Sequence, residues 1–351
     1  MPPADTASRG IFSGRPLERG ERLVLAVIVG VLSAARTWGV LRGAPHTLGK
    51  DFTYPWRAAR ALLAGRNPYD VIQPGGPYPL ESGFPYPLPA AFPALPLAHL
   101  PVDVATTVFM GLTCALFAYA FLRPGLWRLW ALPTVAYALT TALGQWGPLL
   151  IAGALLPGLG FLLSIKPTLG LALFAYRPSR AAVVGGAVLA LVALAMVPTW
   201  PLDWLHVTRA VHSHPAPVTM PWGWLPLLAL FRWRSPEARL VAVLACVPQN
   251  LYFYDQLPLW LVPWNALGTL TLSAGSIVAW GIALRDCPTN YCGPSSAPGI
   301  IALLYLPATV LALLRPEPDG RPAPLVEAAR RWLAARRAPA VAPVAREADG
   351  A

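Results

Sequence analysis

Asp51 opens the segment DFTYPWRAARALLAGRNPYD, residues 51–70, a polar stretch soon after the first hydrophobic run. Asp70 closes it, and Arg57, Arg60 and Arg66 lie between the two acids. An aspartate can act as a general base toward a substrate hydroxyl. In water its pKa near 4 makes it a weak base, and a low-dielectric setting raises both pKa and basicity. Trp56, Ala59, Leu62 and Leu63 recur at spacings of three and four, so WRAARALLAG predicts an amphipathic helix lying at a membrane surface. Gly65 fits its C-terminal stop and NPYD turns the chain. Asp51 then sits at the N-terminal side of that helix, where a catalytic base and a plain N-cap or solvated acid are both open readings. Arg57 and Arg60 are candidates for binding phosphate, with solvent or lipid headgroup contact as the bland alternative.

Other polar residues stand out against apolar surroundings. Lys166 lies in LSIKPTLG, and a charge inside a membrane segment marks a functional site or a snorkelling lysine. It is a candidate phosphate ligand together with the arginines. Tyr254 and Asp255 open a short apolar run, and Asp255 could orient a sugar hydroxyl, pair with an arginine or cap a helix. Gln145 is a candidate for a hydroxyl contact, or a turn residue. The segment TWPLDWLHVTRAVHSHPAPVTMPWGW carries Asp203, His206, Arg209, His212 and His214. A metal cluster is conceivable there. A polar substrate-binding lid built on His206 and Arg209 is the preferred reading, with Trp204, Trp222 and Trp224 as interface anchors or stacking groups.

What must position these residues is a membrane protein. The chain has 351 residues, of which 56% are hydrophobic and 12% charged, and its mean hydropathy is +0.51. Soluble chains carry about 25% charged residues. The net charge of +11 falls in short segments between apolar runs, so it reads as cytoplasmic loop anchoring and not as a nucleic-acid surface. A basic N-terminus precedes LVLAVIVGVLSAARTWGVL, a candidate first span, with a cleaved signal peptide as the competing reading. Apolar runs near 103–122, 129–143, 145–165, 168–177, 181–198, 222–233, 237–250, 255–264, 267–285 and 298–314 then predict an all-α polytopic protein of about ten to twelve spans, several of them broken.

The basic flanks predict residues 1–22 inside, an integral membrane domain over 23–314 and a cytoplasmic Pro/Ala/Arg-rich tail over 315–351, with RRWLAARR forming a short surface helix. The outer side receives 42–102, the turn near 144–146, 199–221 and 286–297. Cys114 and Cys246 lie in apolar runs and read as packing residues. Cys287 and Cys292, in an outer loop, predict a disulfide.

The motifs resemble those of the polyprenyl-phosphate-dependent glycosyltransferases of family 87. DFTYPWRAARALLAGRNPYD is similar to that family's first-loop motif, and FPYPLPAAF to its YPP-like segment. GQWGPLL, KPTLGLAL and YDQLPLWLVPW are similar to three later motifs in the same order. The chain departs from the pattern at Tyr86-Pro87-Leu88-Pro89, where the proline pair is split, and at Thr168, where glutamine is usual. The resemblance implies a GT-C fold with a long first outer loop carrying the amphipathic helix. It implies a polyprenyl-phosphate-linked sugar donor, mannose first among the sugars, and a glycan or glycolipid acceptor. Asp51 would be the general base; Lys166, Arg57 and Arg60 would hold donor phosphate. Tyr54, Gln145, His206, Arg209, Tyr254 and Asp255 would contact sugar or acceptor. No metal and no cofactor is expected, and the partners are lipids, not nucleic acid. The rival class is a lipid or solute transporter, which broken helices and midmembrane charge would also suit.

Overall fold

Prolines divide the apolar sequence into long helices and short ones. The computed structural model describes residues 14–43, 50–210, 214–286, 296–317 and 319–337. Among the described residues every regular element is helical and no strand occurs. The chain forms two units, residues 1–312 and 313–351. The second contains a helix at Pro324–Arg337 with an exposed Trp332, the short helix expected over RRWLAARR.

The first unit begins with α1 (Arg19–Gly43), α2 (Lys50–Leu63) and α3 (Pro68–Val71). A 3₁₀ segment at Leu88–Leu97 follows, then α4 (Val102–Phe121), α5 (Val135–Ala142) and α6 (Gly147–Leu155). After a 3₁₀ segment at Pro157–Ile165 come α7 (Pro167–Tyr176), α8 (Arg180–Met196) and α9 (Trp200–Ala210). The remainder is a 3₁₀ segment at Leu225–Arg232, α10 (Pro236–Cys246), a 3₁₀ segment at Tyr254–Leu261, α11 (Ala266–Asp286) and α12 (Ala297–Leu314).

Four of these, α1, α4, α11 and α12, are long and apolar enough to cross a membrane. Two bent pairs, α5 with α6 at 111° and α8 with α9 at 96°, raise the number to as many as six among the described residues. The long apolar helices fit a membrane protein. The ten to twelve expected spans do not all become long helices. The runs at 145–165, 168–177, 222–233, 237–250 and 255–264 fold into short pieces. Pro148, Pro157, Pro167, Pro226 and Pro236 each sit in the first turn of a new element, and Pro258 lies inside the last one. A proline lacks the N–H that a continuing helix would need, so the first turn is where it costs least.

Small residues set the α1–α4 crossing. On α1, a Cβ at Gly30 would lie 2.8 Å from the Gly111 carbonyl oxygen of α4, so the two helices meet backbone to backbone. Cys114 of α4 is buried as expected, but Cys246 is exposed at the end of α10 and is no packing residue. Cys287, Cys292 and His212 lie outside the described residues.

The helix predicted after Asp51 is present as α2 and ends as expected. Gly65 takes φ 66°, its N–H donates to the Leu62 carbonyl, and the Arg66 N–H reaches the Ala61 carbonyl, the paired closure of a Schellman motif. Asn67 caps α3 by accepting from the Tyr69 N–H. The environment of α2 differs from the expected open membrane surface. Phe52, Trp56, Ala58, Ala59 and Ala61 are buried, and the helix packs against the Leu88–Leu97 segment, with Trp56 Nε1 donating to the Leu97 carbonyl at 3.3 Å. The proline-rich stretch folds back over the helix because its prolines cannot extend into a helix of their own.

Lys166 stands at the joint between the Pro157–Ile165 segment and α7, with extended backbone at φ −136°. The two arms of that joint touch: a Cβ on Gly170 would collide with the Leu163 carbonyl oxygen. Gly170→Ala is therefore expected to destabilise the protein by about 1–3 kcal/mol, the usual cost of overpacking. Thermal unfolding in detergent checks this. A melting temperature equal to the wild type would mean that the joint is loose.

Candidate functional site

Three ionisable side chains from distant parts of the chain meet in one crevice. Lys166 Nζ donates to Asp255 Oδ1 at 2.7 Å, and the side chains are only 15% and 3% exposed. The second oxygen of Asp255, Oδ2, accepts the Asn250 backbone N–H at 2.8 Å. The Lys166 ammonium also stands 5.6 Å from the centre of the Tyr254 ring. Asp51 lies within electrostatic reach of both partners of this pair.

The first turn of α2 holds Asp51 in place through its neighbour. Phe52 is fully buried and stacks on Phe109 of α4 with ring centroids 4.2 Å apart. Asp51 itself keeps some accessible surface while protein crowds its carboxyl. Burial pushes that carboxyl up to about 6; the Lys166 charge pulls in the opposite direction and the Asp255 carboxylate adds to the rise. Because the lysine is already engaged by Asp255, it neutralises Asp51 incompletely.

Aromatic residues wall the crevice. The Tyr86 ring lies 6.1 Å from Trp146 and 6.4 Å from Tyr54. Burial holds the Tyr86 hydroxyl well above the usual phenol range, and the Asp51 and Asp255 carboxylates reinforce this, so it remains a donor at neutral pH. Residues 144–147 run between the two acidic turns. A Cβ on Gly144 would meet the Phe52 Cβ at 3.2 Å, and one on Gly147 would approach the Tyr254 carbonyl at 3.8 Å. Gln145 lies within this run, 2% exposed, and neither polar atom of its amide finds a hydrogen-bond partner among the described residues. A buried polar group left unpaired calls for an explanation, and a water or a ligand hydroxyl is the ordinary one.

The structure thus brings together Asp51, Lys166, Gln145, Tyr254 and Asp255, with Tyr54 at the edge. Tyr54 shares its hydroxyl with Ser82 Oγ at 2.8 Å. It does not gather the remaining candidates. Arg57 is half-buried, its Nη1 has no partner, and burial lowers its pKa; its charged neighbour is Arg60, not Asp51. Arg60 is exposed and lies over the Trp56 ring at 4.8 Å. His206 and Arg209 are exposed on α9. Asp203 ties α9 to the end of the first-loop motif, accepting from Thr199 at 2.7 Å and from the Asn67 amide at 3.1 Å. Trp204 serves the same attachment, its Nε1 donating to the Pro85 carbonyl at 3.1 Å. Among the described residues no three of His, Cys, Asp and Glu gather as a metal site would need.

Three contributors, Tyr86, Trp146 and Asn250, were not singled out from the sequence as site residues, whereas His214 was among the histidines named in the segment before Trp224. Tyr86 and Trp146 lie inside motifs that the sequence displays, but nothing in their spacing pairs them. Asn250 supports Asp255, and its run VPQNLYFYDQ carries polar residues within apolar sequence, a usable signal. His214 lies near the ion pair: the adjoining Pro215 carbonyl accepts from the Gln249 N–H at 3.4 Å.

Two predictions follow from the charges. The first concerns Asp51, whose raised pKa opposes folding when it is ionised. Below about pH 4 the carboxyl is protonated in folded and unfolded chains alike. Between about pH 4 and 6 the folded chain keeps a proton that the unfolded chain releases, so stability falls as pH rises. Above about pH 6 the penalty is complete, at most about 3 kcal/mol. Asp51→Asn should melt higher than wild type at pH 7.5, with the difference shrinking toward pH 4.5; a variant less stable at pH 7.5 would contradict this.

The second concerns the ion pair. Lys166→Met leaves the Asp255 carboxylate buried and unpaired, at an expected cost of about 3–5 kcal/mol. The double variant Lys166→Met with Asp255→Leu should regain most of that stability, and thermal melts of the three proteins check it. A double variant no more stable than Lys166→Met would contradict this expectation.

No protein-family model, curated protein or solved structure matches the chain.

Proposed function

We propose that the protein is a membrane glycosyltransferase of GT-C architecture, which uses a polyprenyl-phosphate-linked sugar and Asp51 as its general base. The observation that carries this reading is the Asp51 carboxyl, pushed up to about 6 and set in a partly open crevice beside the Lys166–Asp255 pair. A base with a pKa near the working pH combines a useful ionised fraction with useful basicity. The resemblance of the motifs around Asp51, Gln145, Lys166 and Asp255 supplies the reaction class, and these four motifs are the ones that converge.

In this reading an acceptor hydroxyl docks against the ionised Asp51. Its oxygen attacks the anomeric carbon while the bond from that carbon to the phosphate oxygen breaks. The hydroxyl proton passes to Asp51, and the bonding pair leaves with polyprenyl phosphate, which inverts the anomeric centre. Lys166 has three N–H donors, one of them given to Asp255, so two are left for the departing phosphate. The unpaired Gln145 amide suits a sugar hydroxyl. Mannose is the sugar the resemblance favours, a glycan or glycolipid the acceptor, and the outer membrane face the side on which the site would lie.

Two spans bent by 111° and 96° also suit a carrier that moves lipid or solute without chemistry. Turnover of a synthetic polyprenyl-phosphate sugar by the purified protein separates the two readings. A glycosyltransferase consumes the donor and releases polyprenyl phosphate, whereas a carrier leaves it intact.

With such a donor, Asp51→Asn is expected to lower the transfer rate by about 10²- to 10⁴-fold. Asp70→Asn should change it little, because Asp70 is exposed on α3 beyond the crevice. In the wild type kcat/KM should be flat above about pH 7 and fall by about one log unit per pH unit below about pH 6, as the base is protonated. An Asp51→Asn protein keeping more than about a tenth of the wild-type rate would remove Asp51 from that role.

A further inference from the structure

We infer that the groove between α1, α5 and α11 is a binding site for an anionic membrane lipid, with the lipid phosphate on Arg36 and one hydrocarbon chain in the groove. The groove is a cavity of about 430 Å³, within the size range of small-ligand sites, and it lies away from the residues gathered around Asp51. Val29, Leu32 and Ile277 form its apolar wall, and Ser33, Tyr137 and Arg36 its polar contribution.

The groove opens on a surface suited to lipid. Val27, Ile28, Val31 and Leu32 of α1 are 56%, 47%, 62% and 64% exposed, and Ile277 of α11 is 56% exposed. Both helices are long and apolar enough to span a bilayer. The apolar residues alone would define any lipid contact; the polar end makes this one specific. Ser33 Oγ and Tyr137 OH bond to each other at 2.7 Å and so satisfy themselves. Arg36 donates from Nε to Thr141 Oγ1 at 3.0 Å and from Nη2 to the Ala138 carbonyl at 3.1 Å. Both partners are neutral. They aim the guanidinium and leave its charge uncompensated among the described residues, with N–H groups of its five-donor fork to spare. A fixed guanidinium with spare donors is well suited to a phosphate diester.

The order of the residues along α1 matches the polarity of a lipid. Arg36 lies about 10 Å before the Gly43 end of the helix, at about 1.5 Å per residue, and its long side chain bonds toward Thr141, in the direction of that end, as a snorkelling arginine would. Leu32 and Val29 follow one and two turns deeper, toward the bilayer centre. A lipid in the leaflet at the Gly43 end would place its phosphate and its chain in that sequence. Neither the choice of leaflet nor the reading of Asp51 enters this inference.

The test uses the full-length protein, stripped of lipid in detergent and titrated with phosphatidylglycerol or with phosphatidylcholine of the same chains. Native mass spectrometry counts the lipid retained. One phosphatidylglycerol per chain should be held with at least about tenfold preference over phosphatidylcholine, the scale of one charge-assisted contact. Arg36→Gln should erase the preference, and Ile277→Trp, which adds bulk to the α11 wall of the groove and leaves both hydrogen-bond partners of Arg36 in place, should weaken retention of both lipids. Equal retention of the two lipids by the wild type, or an undiminished preference in Arg36→Gln, overturns the inference. So does a wild type that retains polyprenyl phosphate in place of phosphatidylglycerol when both are offered. The wild-type comparison stands even if a variant fails to fold.

Discussion

The site depends on how one ammonium group is shared between two carboxylates. Lys166 is bound at 2.7 Å to Asp255, and Asp51 stands poorly solvated beside them, without an ion-pair partner of its own among the described residues. A buried charge is tolerated when it is paired, and a buried acid that lacks full compensation holds its proton more tightly. The Asn250 N–H anchors Asp255, Asp255 anchors Lys166, and the imbalance falls on Asp51. Much of the surrounding architecture serves that arrangement. The Leu163–Gly170 contact fixes the joint carrying Lys166, the Phe52–Phe109 stack fixes the turn carrying Asp51, and residues 144–147 separate the two acidic turns.

The apolar sequence made the helical character legible, including the long apolar helices that fit a membrane protein. The basic, acidic and amide residues interrupting it marked most of the site. Asp51, Gln145, Lys166 and Asp255 were each conspicuous as polar groups in apolar surroundings, which are costly to retain without a role. Their mutual arrangement was not legible, since Lys166 and Asp255 are far apart in sequence and no local spacing pairs them. The arginines of α2 misled for a related reason. Helical periodicity places Arg57 and Arg60 near Asp51 in sequence, but Arg60 turns to the Trp56 ring and Arg57 to the Tyr54 side of the helix. His206 and Arg209 shared a helical face with Asp203, yet that face attaches α9 to the first loop through Asn67 and does not enter the crevice.

Span counting failed where proline decides the outcome. Apolar sequence long enough in total to cross a bilayer is divided into pieces, with Pro148, Pro157, Pro167, Pro226 and Pro236 each in the first turn of a new one. Hydropathy averages over a window and does not see that a missing N–H ends one helix and starts another. The same breaks let backbone and polar side chains turn inward at membrane depth, where irregular chain is tolerated only if protein or a cavity surrounds it. Broken elements and a buried polar site are in this sense one feature, since a straight bundle could not bring the turns at residues 51, 166 and 255 to one place.

The central claim is that Asp51 titrates near neutrality because of where it sits. Difference infrared spectroscopy of the carboxyl C=O stretch, comparing wild type with Asp51→Asn across pH 3.5 to 8, reads that titration directly. The account predicts a protonated-carboxyl band, absent from the variant, that disappears with a midpoint near pH 6. A midpoint near 4, the value of a solvated aspartate, would contradict it.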